Sequence, residues 1–101
     1  MFTRIVKMVF RPEELDNFLK IFEESAPKIR AFAGCEYLEL LQDQQNPTIM
    51  MTRSMWASEE ALENYRHSAL FKSTWAETKQ LFAEKPQAWS VDTLYRFNGK
   101  A

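Results

Sequence analysis

The side chains able to do chemistry gather in the middle of the chain. Thr52, Ser54 and Trp56 alternate along an extended-looking stretch, and Tyr65, His67, Phe71 and Trp75 follow within a helical pattern. His67 is the one histidine present, and histidine is the side chain whose ordinary pKa lies near neutrality, so it is the first candidate general base. Tyr65 carries a hydroxyl on an apolar helical face, where it can bind a ligand oxygen or donate a proton. These two are the candidate catalytic residues. Thr52, Trp56, Phe71 and Trp75 are the candidate substrate-binding residues. Phe71 and Trp75 stand four apart and line one wall, while Thr52 shares the Trp56 face and offers a small polar group beneath the helices.

Each of these residues also has a purely structural reading. A large aromatic at a strand end, such as Trp56, fills a core without touching a ligand. Tyr65 can carry its tip to the surface, Phe71 and Trp75 can simply pack, and His67 can be an exposed cap at a helix–helix junction. Arg4, Glu39 and Arg53 suit a salt-bridged network, since buried charges have to be paired. Cys35 has no positive neighbour in sequence and reads as a small inert apolar residue.

The inventory limits the chemistry further. The chain has 101 residues, 13 Lys+Arg against 14 Asp+Glu, one Cys and two Gly. One His and one Cys make no His/Cys zinc site, and no acidic cluster has calcium-loop spacing, so no metal is expected. With Gly34 and Gly99 as the only glycines, neither the three-glycine dinucleotide turn nor a phosphate-cradling loop can be written, and no cofactor is expected. Balanced, scattered charge argues against nucleic acid and against an anionic membrane surface. No run approaches the roughly 18 uncharged apolar residues of a membrane span. Arg4 and Lys7 interrupt the first apolar residues before a signal-peptide core develops, and a lone cysteine forms no internal disulfide, so the expected location is cytoplasmic.

One domain over residues 1–101 is expected at this length. Phe2–Phe10 reads as a strand with apolar residues on both faces. Pro12, Glu13 and Glu14 suit a helix start, and Leu15, Phe18, Leu19, Phe22 and Ile29 recur at helical spacing, with a kink or break expected at Pro27. Residues 35–43 and 48–56 form an antiparallel hairpin across a polar turn. Ser58 and Ser68 are N-cap candidates for a short and a longer helix, the longer one continuing through Leu81 and Phe82 until Pro86. Trp89–Phe97 alternates as the last strand. The order β-α-β-β-α-α-β predicts an α+β, ferredoxin-like antiparallel sheet with the helices on one face. Strands apolar on both faces leave the other side needing cover, and a two-fold homodimer whose sheets close a shared barrel-like core is the simplest solution.

From Trp56 to Phe71 the chain reads WASEEALENYRHSALF. This segment resembles the antibiotic biosynthesis monooxygenase superfamily, whose pattern runs approximately W-x-S-x-E-A-L, an aromatic or His, then S-x-x-F. Trp56, Ser58, Glu60, Ala61, Leu62, Ser68 and Phe71 match in register, and Tyr65 falls where many relatives have His or Trp. The glycine of Ala33-Gly34-Cys35 also stands where relatives carry one before the second strand. The resemblance implies a dimeric α+β barrel and, in some members, oxygenation of polyphenols to quinones without metal or flavin. On that basis the expected function is cofactor-independent oxidation of a small aromatic or quinol by dioxygen, in a cavity lined by Trp56, Tyr65, Phe71 and Trp75. The alternative is a non-catalytic small-molecule binding or stress-response module on the same scaffold. Haem degradation, known in another branch, is disfavoured. There the ligand histidine lies ten residues after a tryptophan, whereas here those positions hold Tyr65 and Trp75, and an indole nitrogen cannot ligate iron.

Overall fold

A computed structural model describes residues 1–99. The strands are β1 (Phe2–Val9), β2 (Cys35–Gln42), β3 (Ile49–Trp56) and β4 (Gln87–Val91); the helices are α1 (Leu15–Arg30), α2 (Glu59–Arg66) and α3 (Ala69–Lys79). A single 3-10 turn, Pro12–Glu14, leads into α1. The strands form one antiparallel sheet in the order β2-β3-β1-β4, the ferredoxin-like arrangement.

Local chemistry accounts for these boundaries. Ser58 caps α2 by accepting from the Ala61 amide at 3.1 Å, and Ser68 caps α3 by accepting from the Phe71 amide at the same distance. Gly34 ends the turn after α1 with φ of 91°, a left-handed conformation that side chains disfavour. A Cβ built on it would lie 2.3 Å from the Ala61 Cβ. The turn therefore presses directly on α2, and the Gly34 carbonyl accepts from the Ala57 amide at 2.8 Å.

Alternation assigns the faces of the sheet. Met8, Phe10 and Met50 are buried with Phe18 of α1 in one core cluster. Trp56 and Cys35 are buried with Ile29 and Leu62 in a second. The even positions of β1 and β3 thus face the helices. The opposite face carries Ile5, Leu41, Met51, Met55 and Trp89, with Leu41 42% and Trp89 43% exposed. In its middle Arg53 pairs with Glu39 at 2.8 Å, Tyr37 donates to the same carboxylate, and the guanidinium carbon sits 5.1 Å from the Tyr37 ring centroid. The Tyr37 hydrogen bond and then Arg53 hold the Glu39 carboxyl below its ordinary pKa.

Four expectations are corrected. Helix α1 continues past Pro27, so the break does not occur: a proline this late removes a single bond, and the Ala31 amide still closes on the Pro27 carbonyl at 3.1 Å. Helix α3 stops at Lys79, since the following backbone is captured by the sheet: Phe82 bridges to Phe10, and the Ala83 amide donates to the Val9 carbonyl at 2.8 Å. Strand β4 spans Gln87–Val91 and not Trp89–Phe97. Val91 pairs with Thr3, almost the first residue of β1, so the ladder runs out and Leu94, Tyr95 and Phe97 are left 83%, 84% and 90% exposed. Arg4 does not join Glu39 and Arg53; its parity places it on the helix side, where its Nη1 donates to the Ser90 hydroxyl at 3.0 Å.

Candidate functional site

Between the two core clusters lies an inner cavity of about 110 Å³, with Val6, Met8 and Phe18 on one side and Ile29, Leu38 and Tyr65 on the other. Thr52, Phe71 and Trp75 complete the part of its wall that the sequence singles out. An outer cavity of about 280 Å³ adjoins it, sharing Val6, Tyr65, Phe71 and Trp75 and adding Trp56, Arg4, Arg66 and the start of β4. A dry cavity of about 150 Å³ holds one benzene, so a bicyclic ligand needs both spaces.

The wall is an aromatic series. Tyr65 stacks on Trp56 at 5.1 Å between centroids and meets Phe32 and Phe71 edge-on at 5.4 and 5.2 Å. Phe71 stacks on Trp75 at 5.9 Å with planes 10° apart, and Trp75 meets Phe82 at 5.6 Å. These rings arrive together because Trp56 ends β3, Tyr65 sits in the last turn of α2, and the Ser68 cap turns the chain so that Phe71 and Trp75 of α3 face back. Ser68 also donates to the Tyr65 carbonyl at 2.6 Å, tying the two helices at the residue that matters.

Trp56, 1% exposed, donates its indole N–H to the Ser54 hydroxyl at 2.9 Å, so the indole N–H is not free for a ligand. Tyr65 is different. No neighbour among the described residues accepts its proton, and no fully buried side-chain polar atom among them lacks a partner, so the hydroxyl reaches accessible space on a residue that lines both cavities. Burial first, and the nearby Cys35 second, push its pKa up to about 12. At neutral pH it is a hydrogen-bond donor and not a base.

The structure therefore brings Thr52, Trp56, Tyr65, Phe71 and Trp75 together. His67 lies elsewhere: it follows the end of α2 with its side chain 76% exposed, its Nε2 3.4 Å from the Glu63 carboxylate, and it lines neither cavity. Arg4 belongs to the cavity and was not among the expected site residues, although it shares parity with Val6, Met8 and Phe10. No group of three or more His, Cys, Asp and Glu among the described residues is placed to hold a metal ion.

The sequence pattern of the antibiotic biosynthesis monooxygenase family matches residues 1–77. The chain belongs to that family. No curated protein matches it in sequence. Among solved structures, an antibiotic biosynthesis monooxygenase superposes with a TM-score of 0.88 at 20% identity, covering 94% of this chain and 100% of the other. A conserved protein from Methanosarcina mazei Go1 gives 0.85 at 19%, covering 91% and 92%. A Mycobacterium tuberculosis protein gives 0.86 at 16%, covering 96% and 98%. Identities this low establish the shared fold. As an antibiotic biosynthesis monooxygenase family member the chain is a small α+β domain, and no helix among its described residues is long and apolar enough to cross a membrane.

Proposed function

We propose that this protein is a monooxygenase that oxidises a small aromatic or quinol with dioxygen and draws all the electrons from the substrate. The observation that carries the reading is Tyr65, a residue of the aromatic cavity wall whose hydroxyl has no partner among the described residues. A phenol bound against Trp75 and Phe71 places its oxygen within reach of a donor that stays protonated at neutral pH. The phenol gives its proton to solvent at the cavity mouth, and donation from Tyr65 to the phenolate lowers the substrate's own pKa and holds the electron-rich anion between aromatic walls, where fixed dipoles act strongly. The anion gives electrons to dioxygen and a carbon–oxygen bond forms. At a ring methylene, two hydrogens leave and one oxygen enters; the second oxygen departs as water with those two hydrogens, which balances the four electrons. Thr52, at the sheet side of the inner cavity, orients the ring oxygen, and Tyr65 supplies the proton needed when the O–O bond breaks.

The active form is a homodimer. The face of the sheet away from the helices is too apolar to stand in water, and its central Tyr37–Glu39–Arg53 group is already paired and ready for burial. Two copies meeting through this face cover it with one two-fold contact. The whole chain acts as one domain in the cytoplasm.

Dioxygen uptake by the purified protein, with a panel of naphthols, hydroxyanthrones and quinols corrected for autoxidation, tests the activity. Protein-dependent uptake with an oxygenated product is expected. Ligand binding without uptake, the ligand being recovered unchanged in air, overturns it in favour of a binding module.

A further inference from the structure

Arg4 is a half-buried guanidinium on the wall of the outer cavity, and no described carboxylate is in ion-pair contact with it. Its Nη1 donates to the neutral Ser90 hydroxyl at 3.0 Å, and no carboxylate of the described residues forms an ion pair with it. The acid that acts on it at longer range, Glu63, is taken by Arg66 at 2.9 Å and lies 3.4 Å from His67. Arg66 lines the same cavity with its charge paired to Glu63, so Arg4, Arg66 and Glu63 together leave one net positive charge there. Burial, then repulsion from Arg66, lower the Arg4 pKa, the mark of a cation with too little compensation. Apart from the Tyr65 hydroxyl and the Gln87 amide, the rest of the wall is apolar or aromatic, with Val6, Trp56, Leu62, Phe71 and Trp75.

A cation kept in such a place costs free energy that a bound anion restores. The guanidinium is a planar fork matched to the two oxygens of a carboxylate, and five donors remain far from exhausted by one serine. We propose that Arg4, assisted by Arg66, is an anion-binding residue, and that the ligand is a small aromatic carrying a carboxylate, its ring between Tyr65 and Trp75 and its charge on Arg4. This deepens the reading of the cavity as a substrate site and rests on it.

The test compares 6-hydroxy-2-naphthoate with 2-naphthol by isothermal titration calorimetry on the full chain, with oxygen uptake measured in parallel. The expected result is that the naphthoate binds at least tenfold more tightly, that the advantage disappears in Arg4→Gln, shrinks in Arg66→Gln, and falls as salt is raised. Equal affinity of the two ligands, or a preference that survives Arg4→Gln, overturns the proposal. If Arg4→Gln does not fold, the wild-type comparison, its salt dependence and Arg66→Gln decide. Anion preference without oxygen uptake upholds this inference and sinks the oxygenase. Uptake with no anion preference does the reverse, and binding of neither ligand removes both.

Discussion

The Tyr65 ring lies on the Trp56 indole with centroids 5.1 Å apart and planes inclined by 28°. Because the indole N–H is held by Ser54, the stack has a fixed base, and the tyrosine is oriented by its ring and not by its hydroxyl. Position and chemistry are thus separable in this side chain.

Tyr65→Phe keeps every ring contact and deletes the donor. Turnover on a phenolic substrate is expected to fall about 100-fold, the usual scale for lost acid–base help, while the melting temperature stays within a few degrees. Turnover unchanged in this variant removes Tyr65 from the reaction.

The same burial makes stability sensitive to alkali. The folded-state pKa stands at about 12 against 10 for an ordinary tyrosine, so the phenol keeps its proton in the folded chain after the unfolded chain has lost it. This contribution is complete below pH 10 and is lost as pH rises toward 12, amounting to about 2–3 kcal/mol at full loss. Urea unfolding of wild type and Tyr65→Phe should run parallel from pH 7 to 9 and diverge above 10, with wild type weakening more steeply.

Gly34 has two reasons to remain glycine: its positive φ and the 2.3 Å that would separate its Cβ from that of Ala61. Gly34→Ala is expected to cost about 3 kcal/mol in chemical unfolding, combining backbone strain with overpacking. Gly34→Ala combined with Ala61→Gly should recover the packing part alone, leaving the strain.

Leu41 and Met51 face each other across β2 and β3 on the side away from the helices. Placing aspartate at both positions should shift the mass in light scattering from twice 11.9 kDa to 11.9 kDa while leaving far-ultraviolet circular dichroism unchanged. A wild-type chain already at the smaller mass at micromolar concentration contradicts the homodimer.

Much of the architecture was legible because it rests on local signals: the Ser58 and Ser68 caps, the hairpin alternation and the glycine before β2 are each written within a few residues. The misjudged boundaries depend on distant partners. Nothing near Leu94 or Phe97 announces that the start of β1 has already been reached, and nothing near Lys79 announces that Phe10 will claim Phe82. The cavity's aromatic wall was readable from helical spacing, because Tyr65, Phe71 and Trp75 fall on faces that spacing defines. Arg4 was legible in principle, by its even parity with Val6 and Met8, but an arginine in a strand suggests a salt bridge before it suggests a cavity. His67 drew attention through residue type alone, and type carries no information about which way the end of a helix points.

The tryptophans occupy three distinct environments: Trp56 is almost wholly buried behind Tyr65 at the edge of the outer cavity, Trp75 lines both cavities, and Trp89 stands on the uncovered sheet face. Each is therefore an intrinsic optical reporter of a different event. Emission from Trp56 shows its largest change on unfolding, Trp75 responds when an aromatic ligand quenches it, and Trp89 shifts to the blue when another surface excludes water from it. With single-tryptophan variants that retain one indole at a time, folding, occupancy and association become three separable fluorescence signals from one small chain, and none requires an attached dye.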